Sequence, residues 1–267
     1  MEGTQYITIQ SGKKEVTLDI RSILYVKMSR NYATIHVCPD KEYETRRTME
    51  DLEQLLGENF IKVHRSTLVS VMAIHEISDK VYLSNGKSLN YTVRKKKQLE
   101  EELEGKQKRI IESFRQGDLP QTEEAYHEYY RSFDNMPFAF TDIEMIFNEE
   151  NHAVDWIFRY GNEALAKLEK IPLDKIIGNS FGSLFSNMDS KWVRSYERAA
   201  LFGEELEIID YSPEIDTYLD VICFPTFKGH CGCILLDFAA MTSALESNDS
   251  AKALMLYMGK FMSFRPQ

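Results

Sequence analysis

The feature that most constrains this chain is a change of texture near residue 93. From Gln5 to Asn90, short apolar and β-branched runs alternate with turn residues: YITI, EVTL, ILYVK, YATIHV, IHEIS, KVYLS and SLNYT. A period of two sends successive side chains to opposite faces, so each run fits a half-buried strand. One helix interrupts them. Thr48 is its N-cap and Asp51, three residues on, the short acidic partner of a capping box before Leu52, Leu55 and Leu56; Gly57 stops it. Asn85-Gly86 predicts a tight type I′ hairpin turn, because both residues tolerate positive φ. The region therefore reads as antiparallel sheet with one or two small helices.

From Val93 to Phe114 the sequence VRKKKQLEEELEGKQKRIIESF is rich in Lys, Glu, Gln and Leu and lacks proline, which predicts a helix. Leu99, Leu103, Ile110 and Phe114 fall on one stripe with Lys106 at the missing position. Two heptads serve equally a dimer seam or a helix packed on its own domain. Gly117, Asp118 and Pro120 mark a linker. Beyond it come a helix in AYHEYYRSF, strands in DNMPFAFTDIEMIF, VDWIFRYGNEAL and CGCILLDFA, and helices between them, an α+β order. The expected division is a mainly β domain at 1–98, a helical linker at 99–122, an α+β domain at 123–240 and a Met-rich C-terminal helix at 241–267.

The chain's 267 residues suffice for two cores. Its net charge of -10 argues against a polyanionic partner, yet the charge is uneven. Residues 1–98 hold 16 Lys plus Arg against 12 Asp plus Glu, which leaves 16 basic and 30 acidic residues of the totals of 32 and 42 for the remainder. A basic module joined to an acidic one is what a nucleic-acid-binding domain fused to another domain produces. No run approaches the roughly 20 apolar residues of a membrane span, and the start MEGTQYITIQ has no basic and apolar leader, so a cytoplasmic protein without membrane contact is expected. Cys38, Cys223, Cys231 and Cys233 are too few and too uneven for a disulfide framework.

The runs ILYVKMSRNYATIHV, YETRRTMEDLEQLLGENFIKVHRSTLVSVMAIHEI and VYLSNGKSLNYTVRKKKQL together resemble the LytTR family of bacterial DNA-binding domains over about residues 5–98. Ser70 stands where that family usually has Asn, and the domain lies at the N-terminal rather than the C-terminal end. The resemblance implies DNA reading by loops between strands: Asn31 in SRNY, Arg65 in HRS and Arg94 in TVRKKK would touch bases. Ser29, Arg30, Ser66, Thr92 and Lys97 would hold phosphates and set register. The chemistry agrees, since Arg pairs bidentately with guanine and Asn with adenine in the major groove. Asn31 equally suits a turn without any ligand, and His64 reads as a hydrogen-bonded structural residue. Three lysines from Lys95 to Lys97 oppose the dipole of the helix they begin, which points to an anionic partner or a solvated first turn.

FDNMPFAFTDI, WIFRYGNEAL, KIIGNSFGSLF, WVRSYERAALFGEELEI and YLDVICFPTFKGHCGCILLDFA resemble, in that order, a PAS domain over about residues 126–240. A photoactive flavin site of this family needs a Cys just after the Gly178 region, where the sequence reads GNSFGSLFSNMD without one, and a haem needs a His between Gly161 and Asp189, where none occurs. Phe138, Phe140, Trp156, Phe158, Phe181, Phe185 and Phe224 either fill the core or surround an apolar ligand, and no cofactor is expected. Cys231-Gly232-Cys233, beside His230 and within reach of Cys223, admits metal binding or oxidation as well as plain packing. There is no Gly-rich phosphate loop, nucleophile motif or paired metal-ligand spacing to suggest an enzyme.

The expectation is a sequence-specific transcription regulator that binds double-stranded DNA at tandem repeats, with the PAS-like half and preceding helix forming a homodimer or receiving a signal. The other reading is an adaptor that docks a partner through the PAS-like half and the C-terminal helix.

Overall fold

Strand alternation dominates the first unit of the computed structural model, which describes residues 6–116, 119–186 and 189–237. The chain forms two units that divide after Phe114. In the first, β1 (Tyr6–Ser11) and β2 (Lys14–Asp19) make a hairpin. Five strands follow: β3 (Ile23–Ser29), β4 (Tyr32–Val37), β5 (Lys41–Thr45), then α1 (Met49–Leu56), β6 (Phe60–His64) and β7 (Thr67–Ser70). They form an antiparallel sheet in the order β5-β4-β3-β7-β6. A smaller sheet joins β8 (Ile74–Ile77), β9 (Val81–Leu83) and β10 (Ser88–Leu89).

The capping box at α1 is as expected: Asp51 N–H donates to Thr48 Oγ1 and Thr48 N–H to the Asp51 carboxylate. Leu52 and Leu56 then drop into a core with Ile7, Ile9, Ile23, Val26 and Ile35. Each such side chain contributes about 1.5–3 kcal/mol by leaving water. The hairpin at Asn85-Gly86 differs from the expected two-residue turn. Only Gly86 has positive φ, at 81°, and four residues connect β9 to β10 because Leu83 N–H bonds Lys87 O while Asn85 Oδ1 caps Lys87 N–H.

The helix α2 (Lys96–Phe114) turns its stripe toward its own unit. Leu99 is buried, Lys106 Nζ donates to Phe60 O at 2.8 Å, and buried Gln107 Nε2 donates to Val71 O and Ile74 O. Leu103, Ile110 and Phe114 stay half-buried. None of the helices among the described residues is long and apolar enough to cross a membrane.

The second unit opens with α3 (Glu123–Tyr130), then β11 (Ala139–Phe147) and β12 (Ala153–Gly161). Four helices follow, α4 (Glu163–Glu169), α5 (Leu173–Ile176), α6 (Phe181–Leu184) and α7 (Ser190–Phe202), before β13 (Leu206–Ser212), β14 (Thr217–Pro225) and β15 (His230–Asp237). The sheet is antiparallel in the order β12-β11-β15-β14-β13, an α+β arrangement as expected. Buried Asn162 fixes the start of α4. Its Oδ1 accepts from Phe140 N–H and Leu165 N–H, and its amide donates to Phe133 O and Phe138 O, which uses its full hydrogen-bonding capacity.

The aromatics named from sequence divide between the two sheet faces. Trp156, Phe158, Phe181 and Phe185 pack under α4–α7, whereas Phe138, Phe140 and Phe224 lie on the other face with Tyr126 and Tyr130 of α3. The C-terminal segment 241–267 falls outside the described residues.

Candidate nucleic-acid interface

Antiparallel pairing brings the candidate loops to one end of the five-stranded sheet. β3 ends and β4 begins beside the turn that joins β6 to β7, since Lys27 pairs with Thr67 and Ser29 with Tyr32. Met28 N–H donates to Ser66 O at 2.8 Å, which ties the SRNY loop to the HRS turn. Thr92 N–H donates to Val63 O at 3.0 Å and brings in the segment before α2. Three stretches far apart in sequence thus share a rim.

On that rim Ser29, Arg30, Asn31, Arg65, Thr92, Arg94 and Lys97 are exposed, and Ser66 is half-buried. The positive φ in the first loop belongs to Arg30, at 54°, and not to Asn31. The left-handed residue makes the tight turn, so the Asn31 side chain is not needed for it. His64 Nδ1 lies 2.9 Å from Ser66 Oγ, within one turn, in the structural role expected of it. Beside it a groove of about 370 Å³ is lined by His64, Arg65, Thr92, Lys95, Gln98 and Glu102.

The cations divide by whether a carboxylate already holds them. Lys62 pairs with Glu53, and Lys96 with Glu100 at 3.6 Å. Lys97 lies 4.0 Å from Glu101 with both side chains largely in water, a contact of little energy. Among the described residues Arg30, Arg65, Arg94 and Lys95 have no acidic partner within 4.0 Å. The first turn of α2 holds no acidic residue either, so its lysines meet the positive end of the helix dipole and have carboxylates only one turn further on, at Glu100 and Glu101.

One further cation belongs to this rim. Arg46 follows β5, and its guanidinium donates to Tyr32 Oη at 2.9 Å and lies 5.3 Å from the Tyr32 ring centre. It is held exposed next to Asn31. The strand that positions it, KEYET, is polar along most of its length, so alternation gave no signal for it. Only its pairing with β4 makes Arg46 a neighbour of the SRNY loop.

The model of the family described as the LytTr DNA-binding domain matches residues 13–104. The chain carries a LytTr domain there. Among solved structures, similarity extends to a LytTr DNA-binding domain of a putative methyl-accepting/DNA response regulator from Bacillus cereus, at 17% identity and TM-score 0.34 over 38% of this chain and 98% of that one. A PAS domain of an HTR-like protein from Haloarcula marismortui aligns at 12% identity and TM-score 0.31 over 44% of this chain and 100% of its own. A LOV protein from Rhodobacter sphaeroides aligns at 15% identity and TM-score 0.35 over 54% of this chain and 82% of its own. No curated protein matches the chain. The LytTr match spans every rim residue named above, from Ser29 to Lys97.

Proposed function

We propose that the protein is a cytoplasmic, sequence-specific DNA-binding transcription regulator whose LytTr domain reads the major groove through this rim. The observation that carries the reading is the gathering of Arg30, Arg65, Arg94 and Lys95, exposed and without acidic partners, around Asn31 at one sheet end. Arg65, Arg94 and Asn31 touch bases; Ser29, Arg30, Ser66, Thr92 and Lys97 hold phosphates. Arg46 joins the phosphate contacts. Gel shifts with the full chain test this. Arg65→Ala or Arg94→Ala should weaken the preferred site by about 1–3 kcal/mol and relax base choice, while Lys97→Ala weakens all sequences alike. Full site preference in both arginine variants would overturn the assignment.

The PAS-like unit controls the activity by dimerisation or by a signal. Half of its outer sheet face is covered by α3, but Ile209, Tyr211 and Tyr218 on β13 and β14 stand exposed on the other half. This bare apolar half supports a homodimer, in which two linked reading heads gain on tandem DNA repeats through effective concentration. Light scattering after size exclusion should find a dimer, and Ile209→Lys with Tyr218→Lys should make it a monomer. If only Leu103→Lys with Ile110→Lys does so, the seam lies on α2.

A further inference from the structure

Three of the four cysteines converge inside the second unit. Cys223 on β14 lies opposite Cys233 on β15, and Cys231 is two residues earlier on β15, so strand periodicity turns all three to the helix-covered face. Their sulfurs all lie within 4.8 Å of one another, with those of Cys231 and Cys233 3.6 Å apart. Both strands are interior to the sheet, which makes the donors rigid. Gly232 is held from the other side: a Cβ there would fall 2.6 Å from the Phe224 ring.

Cysteine is often buried merely as a small apolar residue. Packing asks only for volume, however, and does not require three sulfurs to face one point. With metal–sulfur bonds of about 2.3 Å, as for zinc, sulfurs around a planar three-coordinate centre lie about 4.0 Å apart, and a pyramidal centre draws them closer. The Cys231–Cys233 pair, at 3.6 Å, falls in that range, and the Cys223 sulfur lies within 4.8 Å of both. A structural zinc site takes four ligands, and among the described residues no His, Asp or Glu joins the three sulfurs.

Charge narrows the choice further. The cluster lies among Ile143, Met145, Val221 and Tyr196, where three thiolates alone would be very costly. The cation felt at Cys223, Arg198, is already held by buried Glu204. An ion of charge +3 leaves the site neutral, whereas a monovalent ion leaves two negative charges in an apolar interior. We propose that Cys223, Cys231 and Cys233 form a three-sulfur site for a trivalent thiophilic ion of the arsenite or antimonite class.

Binding is a condensation without redox change. Three S–H and three As–OH bonds break, three As–S bonds form, and three waters leave with the thiol protons. The complete burial of the sulfurs makes entry slow, governed by opening of the unit. This site is independent of the DNA reading, and its test uses no DNA.

The test incubates reduced full-length protein for a day with arsenite, and separately with copper(I) and zinc(II), with and without mild urea to admit opening. Native mass spectrometry should find one arsenic per chain, and thiols counted in the mild urea that admits opening should fall from four to one, Cys38. The melting temperature of the wild type should rise with arsenite. Cys231→Ala and Cys223→Ala, checked for fold by circular dichroism, should lose the adduct, and Cys38→Ala should keep it. If the variants misfold, the wild-type thiol count and thermal shift decide alone. Four free thiols after arsenite, loss of two hydrogens without arsenic, or preferential capture of copper or zinc in competition would each overturn the proposal.

Discussion

The two five-stranded sheets of this protein bury different chemistry. The core against the N-terminal sheet is aliphatic, built from residues such as Ile9, Ile23, Ile35, Leu52 and Leu56, and its cations project from the strand ends. The C-terminal sheet encloses polar groups on both faces. Under α3, Asp142 accepts from Tyr130 Oη at 2.8 Å, from Thr226 Oγ1 and from His230 Nδ1 at 2.7 Å. Because a carboxylate only accepts, the His230 proton sits on Nδ1, and Nε2 faces the Tyr126 hydroxyl at 3.5 Å. The three thiols occupy the opposite face. One unit thus carries its charge on an exposed rim, and the other holds its chemistry where small changes of charge are expensive.

The sharpest way to break this comparison is Asp142→Ala. Asp142 is fully buried, and its loss strands His230, Tyr130 and Thr226 without their acceptor. Burial first, and then Asp142, pushes the Tyr130 phenol well above its ordinary pKa, so it remains a donor that needs a partner. Removing one member of a buried charged network costs about 3–5 kcal/mol. Urea unfolding followed by near-ultraviolet circular dichroism should show the C-terminal transition fall by that amount, with DNA affinity per reading head retained. A loss below about 1 kcal/mol would mean that the network is not what fastens α3 to the sheet.

A smaller effect of the opposite kind tests the N-terminal unit. Thr48→Ala removes the acceptor for Asp51 N–H and should cost about 1 kcal/mol, measured on the same urea curves. This cap was legible in the sequence because it is local: Thr, three residues, an acid and then leucines. The strands with clean alternation were legible for the same reason. β5, β6 and β7 were not, since KEYET is mostly polar and FIKVH and TLVS are short runs broken by the HRS turn. The rim residues Asn31, Arg65 and Arg94 came from the family resemblance; their adjacency rests on the β3–β7 and β6–β7 pairings, which no local pattern encodes. Arg46 and the Asp142 network were invisible because each depends on partners distant in sequence.

A pH-dependent effect separates the units in another way. Glu169, at the end of α4, has its pKa pushed up to about 7, first by burial and then by the nearby Glu214 carboxylate, whose Oε2 accepts from Ser212 Oγ. Its ordinary value is 4.5, so between these two values the folded protein holds a proton that the unfolded chain has released. Stability contributed by the neutral acid is present below pH 4.5 and is lost as pH rises through about 7. Glu169→Gln keeps the shape and the neutral form but removes the titration. The variant should melt with the wild type at pH 4 and above it at pH 8, with the gap opening between. Glu197 on α7, pushed up to about 7 by burial while Arg194 offsets part of the shift, should add to the gap as Glu197→Gln. Differential scanning calorimetry across pH 4–8 measures both variants. A constant offset at every pH would show that the substitutions act through packing and not through the buried proton.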